Sequence, residues 1–218
     1  MTDSIVSING TGMQTLEILV LLTLIALLPS ILIMMTSFTR IVIVLSLLRN
    51  ALGLQQTPPN TVIIGIALFL SLFIMQPVIS DIDQNAYQPY KADQITQEQA
   101  IEQASVPLKQ FMLKQTKIES LNVFLKFADM KRPADLMKVP MHVVVPAFMT
   151  SELSRAFLMG FLLYIPFLVI DIVVASVLMS MGMVMLPPSM ISMPFKLLLF
   201  VVVNGWELLF STLVSSFN

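Results

Sequence analysis

Six methionines gather late in the chain, Met179, Met181, Met183, Met185, Met190 and Met193, and three of them alternate through Met181-Gly182-Met183-Val184-Met185-Leu186-Pro187-Pro188. Thioethers are soft ligands that hold Cu(I), and the unbranched side chain also reshapes around irregular objects. A copper route usually recruits Cys or His as well, whereas the composition shows Cys 0 and one histidine, His142. Neither a His-pair metal site nor a Cys/His nucleophile pair can be assembled from that set, so no metal is expected. No Gly-rich phosphate loop occurs among Gly 7, so no cofactor and no enzymatic chemistry are expected. The methionines admit two readings: gap-filling between helices, or a deformable lining at Met181, Met183 and Met185.

Charge is the other chemistry available. Arg40, Asp171, Lys196 and Glu207 interrupt apolar segments, two of each sign, as expected if they pair inside a bundle or across subunits. Ion pairs that only fix register would have the same composition. Thr150, Ser151 and Glu152 read as a helix start, a hydroxyl cap with an acid in the first turn. Lys196 of a neighbouring subunit is one partner considered for Glu152.

The elements that must hold these residues are apolar and long. The chain is 56% hydrophobic and 11% charged, with a mean hydropathy of +0.87, which leaves too little polar surface for a soluble globule. The expected fold is an all-α integral membrane protein. A net charge of -1 gives nucleic acid no reason to bind. Between Asp81 and Arg155 the chain holds nine Lys/Arg and nine Asp/Glu, so the plan is two helical hairpins flanking a polar helical insert.

In order, residues 1–15 read as an exposed tail, 16–80 as the first hairpin, 81–149 as the insert and 150–218 as the second hairpin around the methionine turn. Ile18 to Thr39 carries no charge, about 33 Å of helix; Pro29 should kink it, and it is expected to run on to Arg49. Thr61 to Ser80 is the second span. Val139 to Pro146 is too short to be one. The third span is Ala156 to about Met179 and the fourth Met190 to about Val214. In the insert, apolar spacings of three and four place short helices over Ile95 to Met112 and Ile118 to Met130, with Phe111, Phe124 and Phe127 on buried faces, either as core or against a neighbouring subunit. Basic residues flank both turns, Arg40 and Arg49 at the first and Lys196 at the second, so both turns should face the cytoplasm.

Met34-Met35-Thr36-Ser37-Phe38-Thr39-Arg40, then Leu48-Arg49-Asn50-Ala51-Leu52-Gly53 and Pro58-Pro59-Asn60, resemble the FliP family, the P subunit of the flagellar type III protein export gate. Pro146-Ala147-Phe148, Thr150-Ser151-Glu152-Leu153, Pro166-Phe167, Asp171, Leu186-Pro187-Pro188 and Pro194-Phe195-Lys196-Leu197-Leu198 are similar to that family's later motifs. The likeness runs from about Leu16 to Phe217. The injectisome counterpart is similar in the first hairpin, but Ser37-Phe38-Thr39-Arg40, Thr57 and Ala86-Tyr87-Gln88-Pro89-Tyr90 look more like the flagellar branch. The resemblance implies a non-enzymatic subunit of the bacterial inner membrane and flagellar basal body. It implies several copies assembling with the Q and R subunits and other membrane proteins of the export apparatus, with much of the chain towards the periplasmic side. It also implies a pore for unfolded flagellar proteins, with Met181, Met183 and Met185 as gasket; Val184 stands where relatives can carry a further methionine.

Overall fold

A computed structural model of the chain describes residues 6–8, 11–13, 15–183 and 185–217. Apart from a short antiparallel pair, β1 (Val6–Ile8) with β2 (Thr11–Met13), the described residues form helices and turns. Of the tail read over residues 1–15, residues 6–8 and 11–13 form this pair, and residues 1–5, 9, 10 and 14 lie outside the described residues.

The first helix, α1 (Thr15–Met34), contains Pro29 without ending there. It meets the rest of the fold at its junction with α2 (Phe38–Ala51). The expected unbroken run to Arg49 is therefore corrected: the chain turns at Met35 to Ser37. Ser37 is buried there and donates to Ser71 Oγ at 3.0 Å, which gives a polar residue of the break a partner inside the fold.

Helix α2 is the centre of the molecule. Its Ile41, Val44, Leu45 and Leu48 are buried against Ile63 and Ala67 of α3 (Asn60–Ile82), Ala156 and Phe167 of α7 (Met141–Ser180), and Leu209 and Leu213 of α9 (Gly205–Ser215). Gly160 makes the α2–α7 approach close: a Cβ there would come within 3.0 Å of Leu47 Cβ. Helix α3 continues through a wider turn, Asp83–Tyr87, into α4 (Gln88–Lys91).

The insert helices form a second core. Helix α5 (Gln97–Gln115) opens with a capping box, Thr96 Oγ1 accepting from Gln99 N at 3.3 Å and Gln99 Oε1 accepting from Thr96 N at 3.0 Å, which satisfies two otherwise orphaned donors. With α6 (Ile118–Phe127) it packs on the first half of α7, around Met112, Leu121, Leu125, Val144 and Phe148. The expected helix start at Thr150-Ser151-Glu152 is also corrected, because α7 runs from Met141 through Pro146 and Pro166 to Ser180. The short apolar stretch from Val139 thus supplies its first turns, and Ser151 instead accepts from Lys117 N at 2.9 Å, satisfying the amide that precedes α6.

Residues 60–91 and 141–180 are each long and apolar enough to cross a membrane. The fourth expected span is not straight: α8 (Pro188–Val202) and α9 are bent by 66° at Asn204, whose φ of 50° is left-handed. Asparagine is among the few non-glycine residues that enter that region readily.

Candidate functional site

The methionine turn is built from the end of α7. Gly182 N donates to Met179 O at 3.0 Å and Met183 N to Leu178 O at 3.0 Å, the paired bonds of a Schellman cap, with Gly182 at the left-handed position, φ 76°. The turn after α2 repeats the device: Gly53 N donates to Asn50 O at 3.0 Å and Leu54 N to Arg49 O at 3.1 Å, with Gly53 at φ 79°. Past the cap, Met181 is exposed, Met183 half-buried and Met185 98% exposed. Pro188 then opens α8 at a position where its missing N–H would have no partner anyway.

A partly buried ion pair braces the base of this turn. Lys196 Nζ, in α8, donates to Asp171 Oδ2 of α7 at 2.6 Å and to the Ala51 carbonyl of α2 at 3.1 Å. Ser192 Oγ donates to Asp171 Oδ1 at 2.5 Å. A cation at the last carbonyls of α2 also complements that helix's dipole. Met193 packs 3.9 Å from where a Cβ on Gly53 would lie, and a groove lined by Gly53, Leu54, Thr57, Ser189 and Met193 joins the two turns. Both turns therefore lie at one end of the molecule.

Arg40 sits at the other end of α2 and is fully buried with Glu152. Its Nε and Nη2 donate to Glu152 Oε2 and Oε1 at 2.8 and 2.5 Å, Nη2 also to Gln115 Oε1 at 3.1 Å, and Nη1 to Ser216 O and Oγ at 3.0 and 2.9 Å. Its guanidinium lies 3.7 Å from the Phe217 ring centroid. Arg155 Nη1 donates to Gln115 Oε1 at 2.6 Å, and Gln115 Nε2 to Phe217 O at 2.9 Å. The node ties α2, α5, α7 and the residues after α9 together.

Of the charges singled out in the sequence, four form two pairs, Arg40 with Glu152 and Lys196 with Asp171. Within the chain Glu152 and Lys196 lie near opposite ends of α2 and each has its own partner, so neither charge needs the intersubunit Glu152–Lys196 pairing to be satisfied. Glu207 is exposed on α9, not buried. Phe111 is half-buried, its ring 6.0 Å from Phe148 and 6.2 Å from Phe217. Phe124 is half-buried against the insert core, whereas Phe127, expected on the buried face, is 76% exposed. Gln115, Arg155, Ser192 and Ser216 were not singled out: each is a common polar residue whose partner lies 21 or more positions away.

The FliP family model matches residues 21–213. This chain belongs to the FliP family. Relatives carrying the name flagellar biosynthetic protein FliP include that of Pectobacterium carotovorum subsp. carotovorum, 53% identical over 211 residues, covering 96% of this chain and 82% of the relative. That of Aquifex aeolicus is 52% identical over 214 residues, 96% of this chain and 89% of the relative. That of Bacillus subtilis is 52% identical over 204 residues, 94% and 92%. The turns and both ion pairs thus belong to a FliP-family membrane component of the flagellum, not to an enzyme.

Proposed function

We propose that this FliP-family chain is a pore-forming subunit of the flagellar protein export gate in the bacterial inner membrane. Several copies assemble with the Q and R subunits around a passage for unfolded flagellar proteins, and Met181, Met183 and Met185 form the gasket. The observation that supports this best is the methionine turn, whose Met181 and Met185 stand uncovered on irregular backbone between two apolar helices. Such backbone is tolerated at membrane depth only against other protein or a cavity. Sister subunits around a common axis supply both, and a ring of thioethers closes on a passing chain or on itself.

The placement of the two turns at one end supports the orientation. Arg40 and Lys196 are both consumed in ion pairs and no longer count as flanking charges, but Arg49 remains beside the first turn. Positive charge stays on the cytoplasmic side, so the turns face the cytoplasm and the insert faces the periplasm.

The test is to replace Met181, Met183 and Met185 together by alanine. The expected result is an oligomer of unchanged mass whose host membrane leaks small solutes. An intact permeability barrier around a correctly assembled complex would assign the turn a scaffold role instead.

A further inference from the structure

Among the described residues at the turn end, Arg49 is the charge that the chain leaves without an opposite one. Lys196 is met by Asp171, and Ala51 to Ser80 and Ile172 to Phe195 carry no charged residue. The Arg49 side chain is nonetheless held in place, half-buried in the last turn of α2. Its Nη1 donates to the Pro58 carbonyl at 3.2 Å and to Asn60 Oδ1 at 2.6 Å, which restrains the guanidinium against the start of α3. Nη2 makes no hydrogen bond among the described residues, and Nε is buried without a partner. A donor left unmet in that way carries its full desolvation cost, and a cation so placed attracts an anion.

The guanidinium borders a hollow of about 340 Å³ whose other walls are Gln55, Gln56, Pro59 and Asn60. Gln55 and Gln56 also line the groove of about 330 Å³ that leads past Thr57 to Ser189, Met190 and Met193, so the two hollows adjoin across the turn end. The glutamines and Met190 are exposed, and Met193 is half-buried. A carboxylate suits the cationic end, where a guanidinium offers planar N–H groups. The glutamine amides offer both donors and acceptors, which match the alternating N–H and C=O of an extended backbone. A phosphate headgroup only accepts and leaves the amide oxygens unmatched. Anionic lipid is read by clusters of Lys and Arg, whereas a single unpaired base stands here. At the far end the thioethers adapt to apolar side chains of varied shape.

We propose that this groove binds an extended segment of a different polypeptide, with a carboxylate of the segment on Arg49 and an apolar side chain on Met190 and Met193. Sister copies around a common axis bring the same turns side by side, and those turns contain no acid, so the carboxylate comes from another chain. That step rests on the multi-copy reading above. The side of the membrane on which the segment lies rests on the cytoplasmic orientation, whereas the contact itself does not.

In the full-chain complex extracted with its native partners, Arg49→Lys keeps the charge and supplies an amine. A carbodiimide should join that amine without a spacer to an Asp or Glu of a co-purifying polypeptide, mapped by peptide mass spectrometry. Gln56→Lys repeats the test from an exposed position that leaves the Arg49 hydrogen bonds intact. Arg49→Glu should lower the amount of that polypeptide retained by the complex about tenfold at low salt, and replacing the mapped acid by Arg should restore it. No link from either position, no rescue by the reversal, or a link only to a second copy of this chain overturns the proposal. A preference for phosphatidylglycerol over phosphatidylcholine vesicles that Arg49→Gln abolishes assigns the counter-charge to lipid and overturns it too. A mapped and rescued link, found together with reaction of Thr57→Cys from the periplasmic side, upholds the contact and overturns the orientation instead.

Discussion

Arg40 uses every N–H it has. Five hydrogen bonds leave the guanidinium, to Glu152 twice, to Ser216 twice and to Gln115, which is the full donor set of that side chain. A buried charge is costly unless it is paired and its remaining donors are satisfied, and removing one partner costs about 3–5 kcal/mol because the other stays buried alone. Glu152→Ala should therefore lower unfolding stability by about that amount. Arg40→Met combined with Glu152→Leu should lose far less, because no unpaired charge remains. Thermal unfolding in detergent, followed by circular dichroism, checks both; equal losses in the single and double variants would show that charge pairing is not what Glu152 contributes. Part of this was legible. A basic residue inside an apolar run has to find a partner, and the sequence names Arg40 and Glu152 as candidates, but nothing across a separation of 112 positions joins one to the other.

At the scale of elements, the two turns depend on backbone that only glycine enters cheaply. A Cβ at Gly182 meets nothing within 4 Å, so Gly182→Ala should cost only the left-handed strain, about 1–2 kcal/mol, with Gly182→Asn milder. The same measurement of stability checks the order, and a larger loss would mean an unseen packing role. Gly160 is the opposite case. Its φ is ordinary, but a Cβ would lie 2.2 Å from Leu47 Cδ1 and 3.0 Å from Leu47 Cβ. Gly160→Val should cost about 1–3 kcal/mol through overpacking of α2 on α7, and Leu47→Ala should relieve part of it in the double variant. Apolar length made the spans around 60–91 and 141–180 readable, and the glycines marked the turns. The break at residues 35–37 and the 66° bend before α9 were not readable, because Pro29 and Pro194 are stronger local breakers, yet α1 and α8 run through both.

At the scale of the whole molecule, one end holds both turns and the other holds the insert. Single cysteines in a chain without native ones test this directly. Thr57→Cys and Ser189→Cys should react with an impermeant thiol reagent only from the cytoplasmic side, and Gln94→Cys and Arg132→Cys only from the periplasmic side. Labelling of a turn and an insert position from the same side would contradict the proposed orientation. The proposed assembly would cover the exposed apolar faces of α3, α7 and α8 with lipid or sister subunits, and a mass measurement of the detergent-extracted complex tests it and gives the number of copies.

Composition, apolar run length and the Gly/Pro punctuation are local, so the sequence alone determined an all-helical membrane chain with a polar insert, two turns and the residues of the methionine turn. The family motifs are likewise ordered along the chain, and they pointed to the flagellar component that the comparisons establish. Pairing is not local. Which carboxylate meets Arg40, that Lys196 closes on Asp171 and the end of α2, and that Phe127 faces outward all depend on helices brought together from distant positions. Burial energy at those meetings, not any pattern in the chain, selects the partners.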